Sequence, residues 1–140
     1  MAAITVFKEP AWGYVVVEPV ERYILSQQWG HSADPRMRKF LEAIVNGIVE
    51  YQPLHAICDL SNATGQPSSA DEEWIKAQVP RTAAAGCLYQ IIVPPTDALT
   101  KMTIDAVADI EEQYGVTSLT VATLADALAY VRNERRLTIR

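Results

Sequence analysis

The sequence predicts an α/β sandwich with a mixed, largely parallel sheet and about four helices, and three observations carry that prediction. Residues 4–29 hold three extended runs rich in β-branched and aromatic residues. From residue 34 onward, short apolar runs alternate with segments whose apolar residues recur every three or four positions. Between them stand Asp34-Pro35, Pro53, Gly86, Pro94-Pro95 and Gly115, the residues that start and stop helices. Strands alternating with helices imply right-handed crossovers and parallel strands, so the antiparallel part belongs at the N-terminus.

Each element follows from its own residues. Ile4 to Phe7, Gly13 to Glu18 and Tyr23 to Trp29 read as strands. Pro19 and Glu21 suggest a tight reversal between the last two, hence a hairpin within residues 4–29. Asp34 then caps a helix with Pro35 at its first position. Met37, Phe40, Leu41, Ile44, Val45, Ile48 and Tyr51 form that helix's apolar face, and Pro53 ends it. Leu54 to Leu60 is a candidate buried strand. A polar loop leads into a helix from about Ser69 to Ala85, which Pro80 should interrupt and Gly86 should cap.

Cys87 to Val93 is apolar at both alternating sets of positions, as expected of a central strand covered on both faces. In the next helix Leu99, Met102, Ala106, Val107, Ile110 and Tyr114 mark the expected buried stripe, closed by Gly115. Val116 to Ala122 is the last strand. Thr123 and Asp126 cap a final helix with Leu124, Leu128 and Val131 inward. The α/β portion spans 34–132, and Arg132 to Arg140 reads as a short basic, solvated tail.

With 140 residues the chain has the size of one domain, 1–140, and 49% apolar against 21% charged residues is an ordinary globular balance. A net charge of -5 argues against a nucleic-acid surface, which needs a basic footprint. The longest apolar run, Tyr89 to Pro95, is too short to span a bilayer. The N-terminus lacks the basic-then-apolar order of a signal peptide. Cys58 and Cys87 each sit in an apolar run and read as small buried thiols, so a cytoplasmic location is expected.

No constellation points to catalysis, a cofactor or a metal. Gly30-His31-Ser32-Ala33-Asp34 resembles a nucleophile elbow, but Asp34 stands where the tight turn needs a small residue. Ser32 therefore reads as loop. His31, His55, Cys58 and Cys87 lack the paired spacing of a zinc site. Asp59 ends a predicted central strand, where α/β folds place ligands; the simpler reading has it accept from loop N–H groups around Asn62 and Ala63. Trp29 and Trp74 both lie beside the polar loop. They either pack helix on sheet or wall a pocket for a small apolar or lipid ligand, of the kind seen in CRAL-TRIO-like proteins.

Several stretches together resemble the STAS domain family of anti-sigma-factor antagonists, the SpoIIAA-like fold, in its small free-standing bacterial form. They are Tyr23-Ile24-Leu25 running to Trp29-Gly30, Cys58-Asp59-Leu60, Ala70-Asp71-Glu72-Glu73-Trp74, Gly86, and Thr123 to Val131. The likeness spans roughly residues 13–132. It implies a non-enzymatic regulatory module that binds a protein partner and leaves room for a homodimer. It also implies a phosphoserine at the start of the helix after Asp59-Leu60-Ser61, and by spacing Ser68 takes that place. Pro67 stands where the family pattern has an acidic residue, and Ala70 where it has glycine. The competing reading of the same serines is a Ser69–Glu72 capping box with Ser68 in the loop. On either reading the surface from 61 to 79, with Asp59, Ser61, Asn62 and Ser69, faces the partner.

Overall fold

The structure, a computed structural model, describes residues 3–139, with side chains through residue 133. It is an α/β fold with six strands in one sheet and four helices. Strands β1 (Ile4–Glu9), β2 (Gly13–Glu18) and β3 (Tyr23–Gln28) form an antiparallel meander. Strands β4 (His55–Asp59), β5 (Tyr89–Val93) and β6 (Thr117–Thr120) continue from β3 in parallel, so sheet order equals chain order. The expected mixed sheet with its N-terminal hairpin is what forms, and the meander adds a second hairpin to it.

Helix α1 (Arg36–Tyr51) buries Met37, Phe40, Leu41, Val45 and Ile48, close to the stripe read from the sequence. Pro35 already has helical dihedrals, and the Asp34 carboxylate accepts from the Arg36 N–H at 2.8 Å. The Arg36 guanidinium also donates to that carboxylate and holds it down at about 2. Trp12 is buried edge-on against Phe40, and its ring lies where a Cβ on residue 30 would stand, 2.0 Å away. Only glycine fits at Gly30.

Helix α2 (Ser69–Ala84) runs straight through Pro80, contrary to the expected interruption. Pro80 is exposed and the helix tolerates it at the loss of one i→i−4 hydrogen bond. At its end, Gly86 (φ 98°) donates to Ala83 O and Cys87 to Thr82 O, the paired bonds of a Schellman stop.

Helix α3 (Ala98–Gln113) departs further from expectation. Leu99 and Met102, two of the residues expected inside, are 51% and 60% exposed, and Tyr114 beyond the helix end is exposed as well. Thr100 and Thr103 are buried instead. The helix is turned so that a stripe containing Thr100, Thr103, Ile104, Val107 and Glu111 lines the interior.

Helices α1 and α2 pack side by side, as do α2 and α3, against the face carrying Val15, Val17, Ile24 and Ala56. Helix α4 (Leu124–Ile139) covers the opposite face through Ala127 and Val131, over Leu25, Ile57 and Ile91. It is capped by Thr123 Oγ1 accepting from Asp126, as expected, and continues past the residue 132 stop read from the sequence. Arg132 donates to Glu21 at 3.0 Å. The side chains of Arg135 and Arg136, and Arg140 altogether, lie outside the described residues.

Candidate functional site

The β4–α2 loop is fixed at both its flanks. Asp59 ends β4, and its carboxylate accepts from Gln27 Nε2 (2.7 Å), Ser61 Oγ (2.7 Å) and Ser61 N (3.3 Å). Its partners are thus a neighbouring strand and Ser61, whereas the expected donors were Asn62 and Ala63. On one side Ser32 N donates to Thr64 O, and the His31 ring packs over Gly65. On the other, Gly65 N donates to Asp97 and Thr100 Oγ1 donates to Gly65 O. The Gly65 and Thr100 N–H groups lower the Asp97 pKa. Gly65 has φ 76°, and a Cβ there would stand 2.3 Å from the His31 ring, so both backbone and space demand glycine. Asn62, Ser68 and Ser69 stand exposed along this loop and at its junction with α2.

Ser68, not Ser69, caps α2. It has extended backbone (φ -60°, ψ 155°), and its Oγ accepts from Asp71 N at 3.1 Å. Ser69 is the first helical residue and Glu72 closes no box with it; Glu72 N donates to Ser68 O. The cap thus falls one residue earlier than expected, directly after buried Pro67. Arg38 of α1 reaches this helix start, donating to Asp71 Oδ1 (2.8 Å) and Ala70 O (3.2 Å) while lying over the Trp74 ring.

The two tryptophans serve different places. Trp74 is half-buried on the α1–α2 seam beneath Arg38. Trp29 is 37% exposed, packs edge-on against Tyr14 and donates to Pro10 O, lining a shallow groove on the β1–β2 side. Neither lines the cavity between the sheet and the helices.

That cavity, about 130 Å³, lies between the sheet and α1, α2 and α3. Met37, Phe40, Ile75 and Ile104 give it an apolar body. Ser26 and Gln28 of β3, Cys58 of β4 and Gln90 of β5 project toward it from the sheet, yet the surface it presents is almost wholly apolar. Gln28 Nε2 donates to buried Ser32 Oγ at 2.9 Å. Its roof brings Thr100 and Thr103 from α3. A second space of about 70 Å³ shares Ile44, Cys58, Ile75, Gln90 and Val107 with the first and adds Cys87 and Glu111.

Burial pushes the Glu111 carboxyl up to about 7 and the Cys87 thiol to about 12, and raises Cys58 as well. Gln90 lies between Cys58 Sγ and Glu111. Turned so that Nε2 faces the carboxylate, it donates to both oxygens, 2.9 Å to Oε2.

The sequence reading did not single out Gln28, Gln90, Thr103 or Glu111. A signal was present: Ser26 and Gln28 alternate within an apolar strand, and Thr100, Thr103 and Glu111 share one helical face.

Fold and site together define the class: a four-helix α/β domain with a hydrogen-bonded loop beside the carboxyl ends of parallel strands and an apolar cavity beneath its helices. No family model, curated protein or solved structure matches the chain.

Proposed function

We propose that this protein is a non-enzymatic interaction module of STAS-like character, binding a protein partner through residues 61–79. The observation that carries the reading is the loop itself. Its backbone is held by Asp59, Ser32, Asp97 and Thr100, while the side chains of Asn62, Ser68 and Ser69 remain exposed. A surface ordered before binding loses little entropy when it docks, which favours a recognition role. The reading also draws on the mixed sheet with its N-terminal antiparallel part and on Ser68 standing at the start of α2.

Ser68 is sterically open to a kinase, and its phosphate would meet the first N–H groups of α2. Arg38 is the nearby cation, already engaged with Asp71, and the Asp71–Glu72 turn opposes added negative charge. A phosphate on Ser68 would therefore compete with Asp71 for Arg38 and loosen the α1–α2 seam, giving the switch a mechanical output.

The test is site-specific photo-crosslinking in the native host, with the photoreactive residue at position 62 or 69 and, as control, at Asp126 on α4. The expected result is one heterologous protein trapped from 62 and 69 and not from 126. Equal labelling from all three positions, or none, overturns the reading. Intact-mass analysis of the same material then reports whether Ser68 carries phosphate.

A further inference from the structure

The cavity between the sheet and α1–α3 presents an almost wholly apolar surface, although polar side chains project toward it. Sheets covered by helices bury aliphatic side chains on that face. Here the row Ser26–Cys58 and the neighbouring Gln28 and Gln90 face inward, opposed by Thr100 and Thr103. Most of these groups are satisfied within the protein: Ser26 donates to Ile57 O, Gln28 to Gly30 O and Ser32, and Thr100 to Gly65 O. Thr103 is the exception. It is 8% exposed, forms part of the cavity wall, and its buried Oγ1 has no hydrogen-bond partner among the described residues. An unpaired buried hydroxyl is destabilising, so its presence calls for an explanation.

Helix α3 presents the same anomaly at larger scale. It turns Leu99 and Met102 to solvent while Thr100 and Thr103 go inside. Local patterning overruled in this way marks a site where function competes with stability.

Size and charge fix the ligand class. A space of about 130 Å³ approaches the roughly 150 Å³ of a cavity known to hold benzene. No Lys or Arg contributes to the wall of either space, and the adjoining one holds a carboxyl, Glu111. A carboxylate or phosphate group would be buried there without a counter-charge, which is prohibitive. We propose that this cavity is a binding site for a small, neutral, mostly apolar molecule about the size of a benzene ring. The molecule would carry one hydrogen-bonding group that pairs with Thr103 Oγ1. The assignment does not rest on the partner reading, although Pro67 and Ile75 of the 61–79 segment contribute to the cavity wall.

The experiment is an amide-resolved NMR titration of the full chain with phenol, toluene and benzoate as probes, the last at pH 8. Phenol is expected to shift the amides of Ser26, Leu60, Thr103 and Ile104 saturably, toluene to bind the same place more weakly, and benzoate to leave those amides unmoved. Thr103→Val keeps the shape and removes the unpaired hydroxyl, so it folds. It should weaken phenol roughly five- to tenfold without weakening toluene. Ile75→Phe fills the cavity and should abolish both; if that variant does not fold, Thr103→Val decides alone. The proposal is overturned by non-saturable shifts, by benzoate binding as well as phenol, by phenol affinity unchanged in Thr103→Val, or by binding that survives in folded Ile75→Phe.

Discussion

Glu111 carries a carboxyl into the space where Cys58, Cys87 and Gln90 meet, and its protonation is coupled to folding. Burial raises it from 4.5 to about 7. Between those values the unfolded chain releases this proton and the folded chain keeps it. Stability therefore falls as pH rises through the window and is level above it. At 1.36 kcal/mol per pH unit the ceiling is roughly 3 kcal/mol. Gln90, donating to the ionised carboxylate, makes the measured loss smaller. Both thiols facing Glu111 are raised and stay neutral throughout. Glu111→Gln should match the wild type in urea melts at pH 5 and exceed it by about 1–3 kcal/mol at pH 8. Equal stabilities at both values would mean that the carboxyl reaches water. At this scale the sequence was legible where chain-local chemistry decides. Thr123 and Asp126 cap as their spacing demands, and Asp34 meets the Arg36 N–H. It was illegible where the partner comes from a distant element: Asp59 chose Gln27, and Glu111 chose Gln90.

Helix α2 is the element on which both proposals converge, since its start bears Ser68 and its inner side contributes Ile75 to the cavity. Its only fully buried residue is Val79, whereas α1 buries six. Pro80 removes a further hydrogen bond from its interior. A helix held by so little apolar contact opens more readily than its neighbour. Native-state hydrogen exchange should give α2 amides opening free energies roughly 2 kcal/mol below those of α1, at positions away from the ends. Matching values would make α2 part of one cooperative core. The sequence located both helices well because their boundaries rest on proline, serine and glycine. It misjudged the face of α3 because apolar periodicity assumes that the apolar stripe is the buried one. Leu99 and Met102 obey the period but face outward.

Across the whole molecule, one face of the sheet is covered by three helices and the other by α4 alone. Strand β5 carries Ile91 and Val93 on one face and Ile92 on the other, which is why the run Cys87 to Val93 could be read as central. What sequence alone did not give was which helix covers which face. That depends on crossover geometry, and among the described helices α4 is the one that covers the far face. Leu25, Ile57 and Ile91 thus rely on Ala127 and Val131, both fully buried, and on half-buried Leu124 and Leu128. Ending the chain after Ala122 would bare that row on a parallel sheet, and exposed apolar strands are unstable as well as prone to aggregate. The truncated chain should lose its cooperative urea transition, bind a hydrophobic dye and keep much of its far-UV circular dichroism. The three-helix side, with Trp12, Phe40 and Val17, would collapse without unique packing. A sharp transition with the full-length denaturant slope would instead show that the three-helix face alone specifies the fold, leaving α4 as a cover whose removal the sheet survives.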